Sequence, residues 1–253
     1  MEVSRLLRRC QGRRFARLVA ILTVALSLAG MTSTAADAAA DKDGFSVIFN
    51  GTSLDGWEGK PEFWSVADGA IVGQTTAEKP TKGNTFLIWK QGTVGDFELK
   101  LLYRITGGNS GIQYRSKDHG DFVVGGYQAD FEAGPTYSGI VYEERGRGIL
   151  SNRGERMTIA ADGKKAAGAP IGNTGDLQKA IKPGEWNEYT VVARGPRLQH
   201  FINGQLMSEL VDEQEGKRAT EGVLALQLHA GPPMKVEFKE IRIKNTPAQP
   251  AGK

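Results

Sequence analysis

The sequence predicts an all-β protein, a sandwich of two large antiparallel sheets, and three observations predict it. Glycine is high, 33 of 253 residues, which favours a turn-rich chain over a helical one. Short runs of alternating apolar and polar residues recur along the chain with turn residues between them. Between two of these runs, RLQHFI and QLMSEL, stands Asn203-Gly204, the strongest short-range hairpin signal.

The first residues read differently. Six arginines (Arg5, Arg8, Arg9, Arg13, Arg14, Arg17) precede an apolar run from Leu18 to Gly30, followed by small residues with an A-x-A site at Ala36-Asp37-Ala38. That is the pattern of a secretory signal over residues 1–38, and the apolar run is short for a membrane span. Arg13-Arg14 hints weakly at twin-arginine export. Of 32 basic and 29 acidic residues, 6 and 2 fall within 1–38, leaving 26 against 27. The mature chain is thus near −1, so the basic pI carries no argument for nucleic acid. Cys10, the one cysteine, leaves with the leader. A secreted chain of about 215 residues without disulfides relies on its core, which that length permits. The expected destination is the periplasm or the medium, with no stable membrane insertion after cleavage.

Residues 39–246 read as one domain and 247–253 (PAQPAGK) as a flexible tail. Strands are expected in order at 45–49, 63–68, 69–73, 86–90, 96–106, 110–116, 126–133, 139–144, 149–152, 155–160, 187–195, 197–202, 205–210, 222–230 and 236–245. Each alternates or is apolar throughout, and most begin or end beside Gly, Asn, Asp or Pro. Only DLQKAI, 176–181, predicts a helical turn, with Asp176 as its cap. Trp57, Trp64, Trp186 and Trp89 are read as packing residues, and His119 and His200 as surface residues.

Several blocks together carry a resemblance. FNGTSLDGW (49–57) is followed in order by DFELKLLYRI, GNSGIQYR, GYQADF, GIVYEERGRGIL, GEWNEYTVVARG, FINGQL and LQLHAGPPMKVEFKEIRIKN. This series resembles the 3-keto-disaccharide hydrolase domain family over about residues 44–245. The resemblance implies a concanavalin-like jelly roll with a concave polar face, a secreted or envelope protein, and action on sugars.

Three strands carry the candidate site, because side chains alternate along a strand. In SGIQYRS, Gln113 and Arg115 share a face; in GYQADFEA, so do Gln128, Asp130 and Glu132; in GVLALQLHAG, Ala225, Gln227 and His229 do. The opposite faces are apolar. Polar faces of this kind suit a carbohydrate, with amides and carboxylates for vicinal hydroxyls and Arg as a donor fork. Glycines flanking Asn109 and Ser110 would let a ligand approach the backbone. The plainer reading is a polar face turned to solvent. His229 has the titration range for acid-base work, and Asp130 with Glu132 could share a proton. The three also offer a divalent-cation site, though without metal-ligand spacing. YEERGRG reads as a charged loop; the resemblance brings Tyr142 or Glu143 to the rim of a cleft.

Retaining β-glucanases with a jelly roll carry a motif E-x-D-x-(x)-E, whereas the nearest run here places Gln128 where the nucleophile stands. An amide cannot form the glycosyl ester, which argues against double displacement. The chemistry implied by the family needs none: a C3 ketone acidifies the C2 hydrogen, a base removes it, the enolate expels the glycosidic oxygen, and water adds back. On that chemistry His229 or Asp130 would be the base. Arg115 with Gln227 or Asn109 would stabilise the oxyanion, and Glu132 would position or protonate. The expected function is a carbohydrate-active hydrolase cleaving 3-keto-glycosides by elimination and hydration. The alternatives are a non-catalytic carbohydrate-binding module and a structural sandwich domain. Ionisable groups rather than exposed aromatic platforms favour the enzyme.

Overall fold

A computed structural model describes residues 41–246. The expected leader, 1–38, and tail, 247–253, lie outside the described residues. Seventeen strands and one short helix follow in order. The first eight strands are β1 (Ser46–Val47), β2 (Trp57–Glu58), β3 (Trp64–Ala67), β4 (Ala70–Gln74), β5 (Thr85–Trp89), β6 (Phe97–Thr106), β7 (Asn109–Asp118) and β8 (Val124–Glu132). Then come β9 (Val141–Glu144), β10 (Gly148–Ser151), β11 (Arg156–Ile159), β12 (Lys165–Ala167) and the helix α1 (Thr174–Gln178). The chain closes with β13 (Asn187–Arg194), β14 (Arg197–Ile202), β15 (Gln205–Asp212), β16 (Val223–Leu228) and β17 (Lys235–Asn245).

They form two sheets, one of ten strands in the order β12-β11-β15-β14-β13-β6-β17-β4-β3 with β1 beside β17, and one of seven in the order β10-β9-β8-β7-β16-β5-β2. This is a jelly-roll sandwich, as the sequence predicts. One pair departs from antiparallel: β11 runs parallel to β15, Arg156 opposite Glu209. No helix among the described residues is long and apolar enough to cross a membrane.

The strict alternation of β6, FELKLLYRIT, buries every second residue against the other sheet. Tyr103 meets Phe131 of β8 with ring centroids 4.1 Å apart, and Phe131 lies edge-on to Phe238 of β17 at 5.9 Å. Tyr114 of β7 and Tyr127 of β8, paired across strands, stack at 5.8 Å on the same inner side. Filling the core from β7 and β8 with Ile112, Tyr114, Tyr127, Ala129 and Phe131 turns their alternate residues outward. That alternation builds the site.

Asn203 and Gly204 both take positive φ, 49° and 77°, as the hairpin turn they predict requires. The helix starts earlier than DLQKAI, because Asn173 rather than Asp176 caps it, its Oδ1 accepting from the Gly175 and Asp176 amides. Trp57, Trp64 and Trp89 are buried. Trp186 is only half-buried, held on the outer side between Arg104 and Lys239 at 4.7 and 4.3 Å. His119 is exposed, as read. His200 is not a surface residue: it is wholly buried, where its Nδ1–H donates to the Ile140 carbonyl and its Nε2 accepts from the Tyr114 hydroxyl, each at 2.9 Å. Burial lowers its pKa to about 4, so it stays neutral.

Candidate active site

Strand register decides which polar groups meet. Across β7 and β8, Asn109 faces Glu132, Gly111 faces Asp130 and Gln113 faces Gln128; across β8 and β9, Gln128 faces Tyr142. Leu226 of β16 pairs with Ile112, which sets Gln227 level with Gly111. Gly111 leaves a notch: a Cβ there would lie 2.5 Å from Cγ of Gln128. Into this notch Gln128 leans, so that its Nε2 donates to Oδ1 of Asp130.

A chain of hydrogen bonds fixes that orientation. The Ser116 hydroxyl donates to Oε1 of Gln113 at 2.6 Å, and Nε2 of Gln113 donates to Oε1 of Gln128 at 2.6 Å. With its oxygen used, Gln128 can only present its NH₂ to Asp130. Asn109 Nδ2 donates to the other Asp130 oxygen at 3.2 Å. Beyond it, Gln227 Nε2 donates to Glu144 at 3.3 Å, and Asn84 Nδ2 donates to the same carboxylate at 3.3 Å.

The outer members of this hydrogen-bond chain line a cleft of ≈ 400 Å³, with Gln113 and Ser116 buried behind them. Asn84, Asn109, Gln128, Asp130, Gln227 and His229 supply much of its polar lining, with Glu132, Tyr142 and Glu144; Tyr137, Ile140 and Ile149 supply apolar surface. A second hollow of ≈ 370 Å³ shares Asn109, Glu132 and His229 with it.

Asp130 is 5% exposed, and its pKa is pushed up to about 7. Burial is the main cause, opposed by the two amide donors and reinforced by the negative charges of Glu144 and Glu132. A carboxyl so placed exchanges its proton near neutrality. His229 Nδ1 sits 2.5 Å from the Ala230 carbonyl, which can only accept, so Nδ1 carries a proton and Nε2 is the nitrogen that bears the lone pair in the neutral ring. Burial, with the charges of Glu144 and Asp130, raises the Tyr142 pKa, so its phenol remains a donor.

The structure thus brings together Asn109, Gln128, Asp130, Glu132, Tyr142, Gln227 and His229 among the residues the sequence singles out. Four others lie elsewhere. Arg115 does not share a face with Gln113, because a bulge between Tyr114 and Lys117 and a φ of 47° turn it away. Its buried guanidinium donates to Asp96 and to the Gly95 and Gly195 carbonyls, which removes it as an oxyanion donor. Ser110 is fully buried, its hydroxyl spent on the Gln227 carbonyl at 2.7 Å. Gln113 is equally buried and acts through Gln128. Glu143, one residue from Tyr142, takes the other face and pairs with Arg147 at 2.8 Å. Glu132 reaches the cleft, yet its Oε1 also accepts the Thr136 and Tyr137 amides.

Asn84, Tyr137, Ile140, Glu144 and Ile149 are lining residues the sequence reading missed. Glu144 was legible, being two residues from Tyr142 on one strand. Asn84 precedes β5 in a loop and gave no signal. Among the described residues, no group of three or more His, Cys, Asp or Glu is placed to hold a metal ion.

The fold and this cleft define a jelly-roll protein with an ionisable site on the outer face of its seven-stranded sheet. Residues 44–244 match the 3-keto-alpha-glucoside-1,2-lyase-like domain, and the chain belongs to that family. No curated protein matches the chain. Among solved structures, two Parabacteroides distasonis proteins, each named "putative glycosyl hydrolase", are similar to it. One has 17% identity over 80% of this chain and 99% of its own, with a TM-score of 0.50; the other has 20% identity over 81% and 94%, also at 0.50. A Bacillus subtilis protein of unknown function with a galectin-like fold has 10% identity over 78% of this chain and 92% of its own, with a TM-score of 0.51. At these identities the likeness is one of fold.

Proposed function

We propose that this protein cleaves glycosidic bonds of 3-keto-glycosides by elimination followed by hydration, in the cleft around Asp130, and that it acts after export. Family membership supports the reaction class. The observation that carries the reading is the pairing of a buried carboxyl, with a pKa of about 7, and a histidine whose Nε2 lone pair is unspent, both lining one cleft.

The two groups divide the chemistry. His229 Nε2 removes the C2 proton, which the C3 ketone has made acidic, and Tyr142 donates to the enolate oxygen. The electron pair forms the C1–C2 double bond, the C1–O bond breaks, and the Asp130 proton goes to the departing oxygen. The resulting Asp130 carboxylate is held by Gln128 and Asn109, both aimed at it in advance. In the hydration, Asp130 takes a proton from water as its oxygen adds to C1, and the imidazolium returns a proton to C2. Asn109, Gln227 and Asn84 are left to hold the sugar hydroxyls.

The test is release of the aglycone from a 3-keto-glucoside and from its unoxidised parent. Release from the keto compound alone is expected. Equal release from both would replace elimination with ordinary hydrolysis, and saturable binding without release would make the cleft a carbohydrate-binding site.

A further inference from the structure

We propose that Tyr137, Ile140 and Ile149 form a subsite for a planar apolar leaving group, so that the preferred substrates are glycosides of aryl or arylalkyl alcohols rather than disaccharides. This rests on the reading of the cleft as a site of glycoside cleavage. Among the described residues three large hydrophobic side chains are exposed, Val47, Tyr137 and Ile149, and the last two line this one cleft at 44% and 37% exposure. Ile140, almost wholly buried, joins them there. Ile149 of β10 pairs directly with Tyr142 of β9, so the apolar surface begins one strand from the enolate donor.

The segment carrying Tyr137 is held from both sides. Glu132 Oε1 accepts the Thr136 and Tyr137 amides, and the Ser138 hydroxyl accepts from the Glu132 amide at 3.0 Å. Arg153, 4% exposed, donates to the Ser138 and Pro135 carbonyls at 2.7 and 2.6 Å. Two charged side chains therefore pin the backbone on either side of a ring that remains open to solvent. A ring carried on a backbone fixed in advance costs no loop ordering when something stacks on it, which favours a recognition surface. A second sugar would lay a C–H face on Tyr137 but find among these three side chains no hydrogen-bond partner for its hydroxyls beyond the Tyr137 hydroxyl. The amides, Asp130 and His229 suit the sugar itself. The cleft therefore divides into a polar part for the oxidised sugar and an apolar part for what leaves.

The test compares 3-keto-glucosides of methanol and of 2-phenylethanol, alcohols of similar acidity that differ in apolar surface, with a 3-keto-disaccharide as a third substrate. The wild type is expected to show a KM for the phenylethyl compound about tenfold below that for the methyl compound, and Tyr137→Ala to erase most of that ratio. Equal KM values for both aglycones, a Tyr137→Ala effect of the same size on both, or a disaccharide bound as tightly as the phenylethyl compound would each overturn the subsite. Turnover of none of the three would sink the cleavage reading instead. In that event calorimetric Kd values for unoxidised methyl and 2-phenylethyl glucoside, in wild type and Tyr137→Ala, decide the subsite by the same ratio.

Discussion

Asp130 owes its behaviour to conflicting neighbours. Burial and the nearby carboxylates of Glu144 and Glu132 favour its neutral form, while the Gln128 and Asn109 amides favour the charged one. As the proton donor to the leaving oxygen it must be protonated, so kcat is expected to fall as pH rises above about 7, with one proton lost. A pH series of kcat checks this; the absence of any fall above that range would count against Asp130 as the proton donor. His229→Ala is expected to lower kcat by about 10²–10⁴ for every aglycone, since removal of the C2 proton precedes any departure. Arg115 tells the opposite story. Its three donors tie β7 to the Gly95–Asp96 and Gly195 turns. Arg115→Met is expected to cost about 3–5 kcal/mol of stability in a urea titration while kcat of the folded protein is retained.

At the scale of the element, the alternation of β7, β8 and β16 made the polar faces legible, and Gln128, Asp130, Glu132, Gln227 and His229 line one cleft. The same rule misplaced Arg115, because alternation assumes an unbroken strand, and nothing in SGIQYRS announces a bulge. It also could not separate Tyr142 from Glu143, since one strand has two faces and only the neighbouring strand tells which is wet. His200 was misread for a related reason: a polar residue in a hairpin looks solvated until both ring nitrogens find partners in the core. The sequence reads Gly111 as room for a ligand to approach the backbone, whereas the space it leaves is taken by Gln128. Gly111→Ala should force Gln128 out of that space, at a cost of about 1–3 kcal/mol, and unseat its hydrogen bond to Asp130. Thermal denaturation and turnover measured together check this, and an unchanged kcat would show that Gln128 does not matter to the reaction.

At the scale of the whole molecule, two buried groups set opposing pH dependences. Asp130 has a folded pKa of about 7 against an ordinary 3.8, so the stability present below 3.8 is lost as pH rises through 7. His200 has a folded pKa of about 4 against 6.5, so stability present above 6.5 is lost as pH falls through 4. The shifts are worth about 4 kcal/mol for Asp130 and about 3 kcal/mol for His200, and between pH 4 and 7 the two largely offset. Wild-type stability is therefore expected to vary little across that window, while Asp130→Asn, which leaves His200 uncompensated, should lose about 3 kcal/mol between pH 6.5 and 4 in denaturant titrations. The same variant tests whether Asp130 gives its proton to the departing oxygen. The measurement is the single-turnover rate of aglycone release, which precedes hydration, for wild type and Asp130→Asn on 3-keto-glucosides of 2-phenylethanol and of p-nitrophenol. An alcohol needs a proton to leave and nitrophenolate does not, so the variant is expected to lose about 10²–10⁴ in that rate on the first and little on the second. Equal losses on both, or no loss on either, would contradict the account.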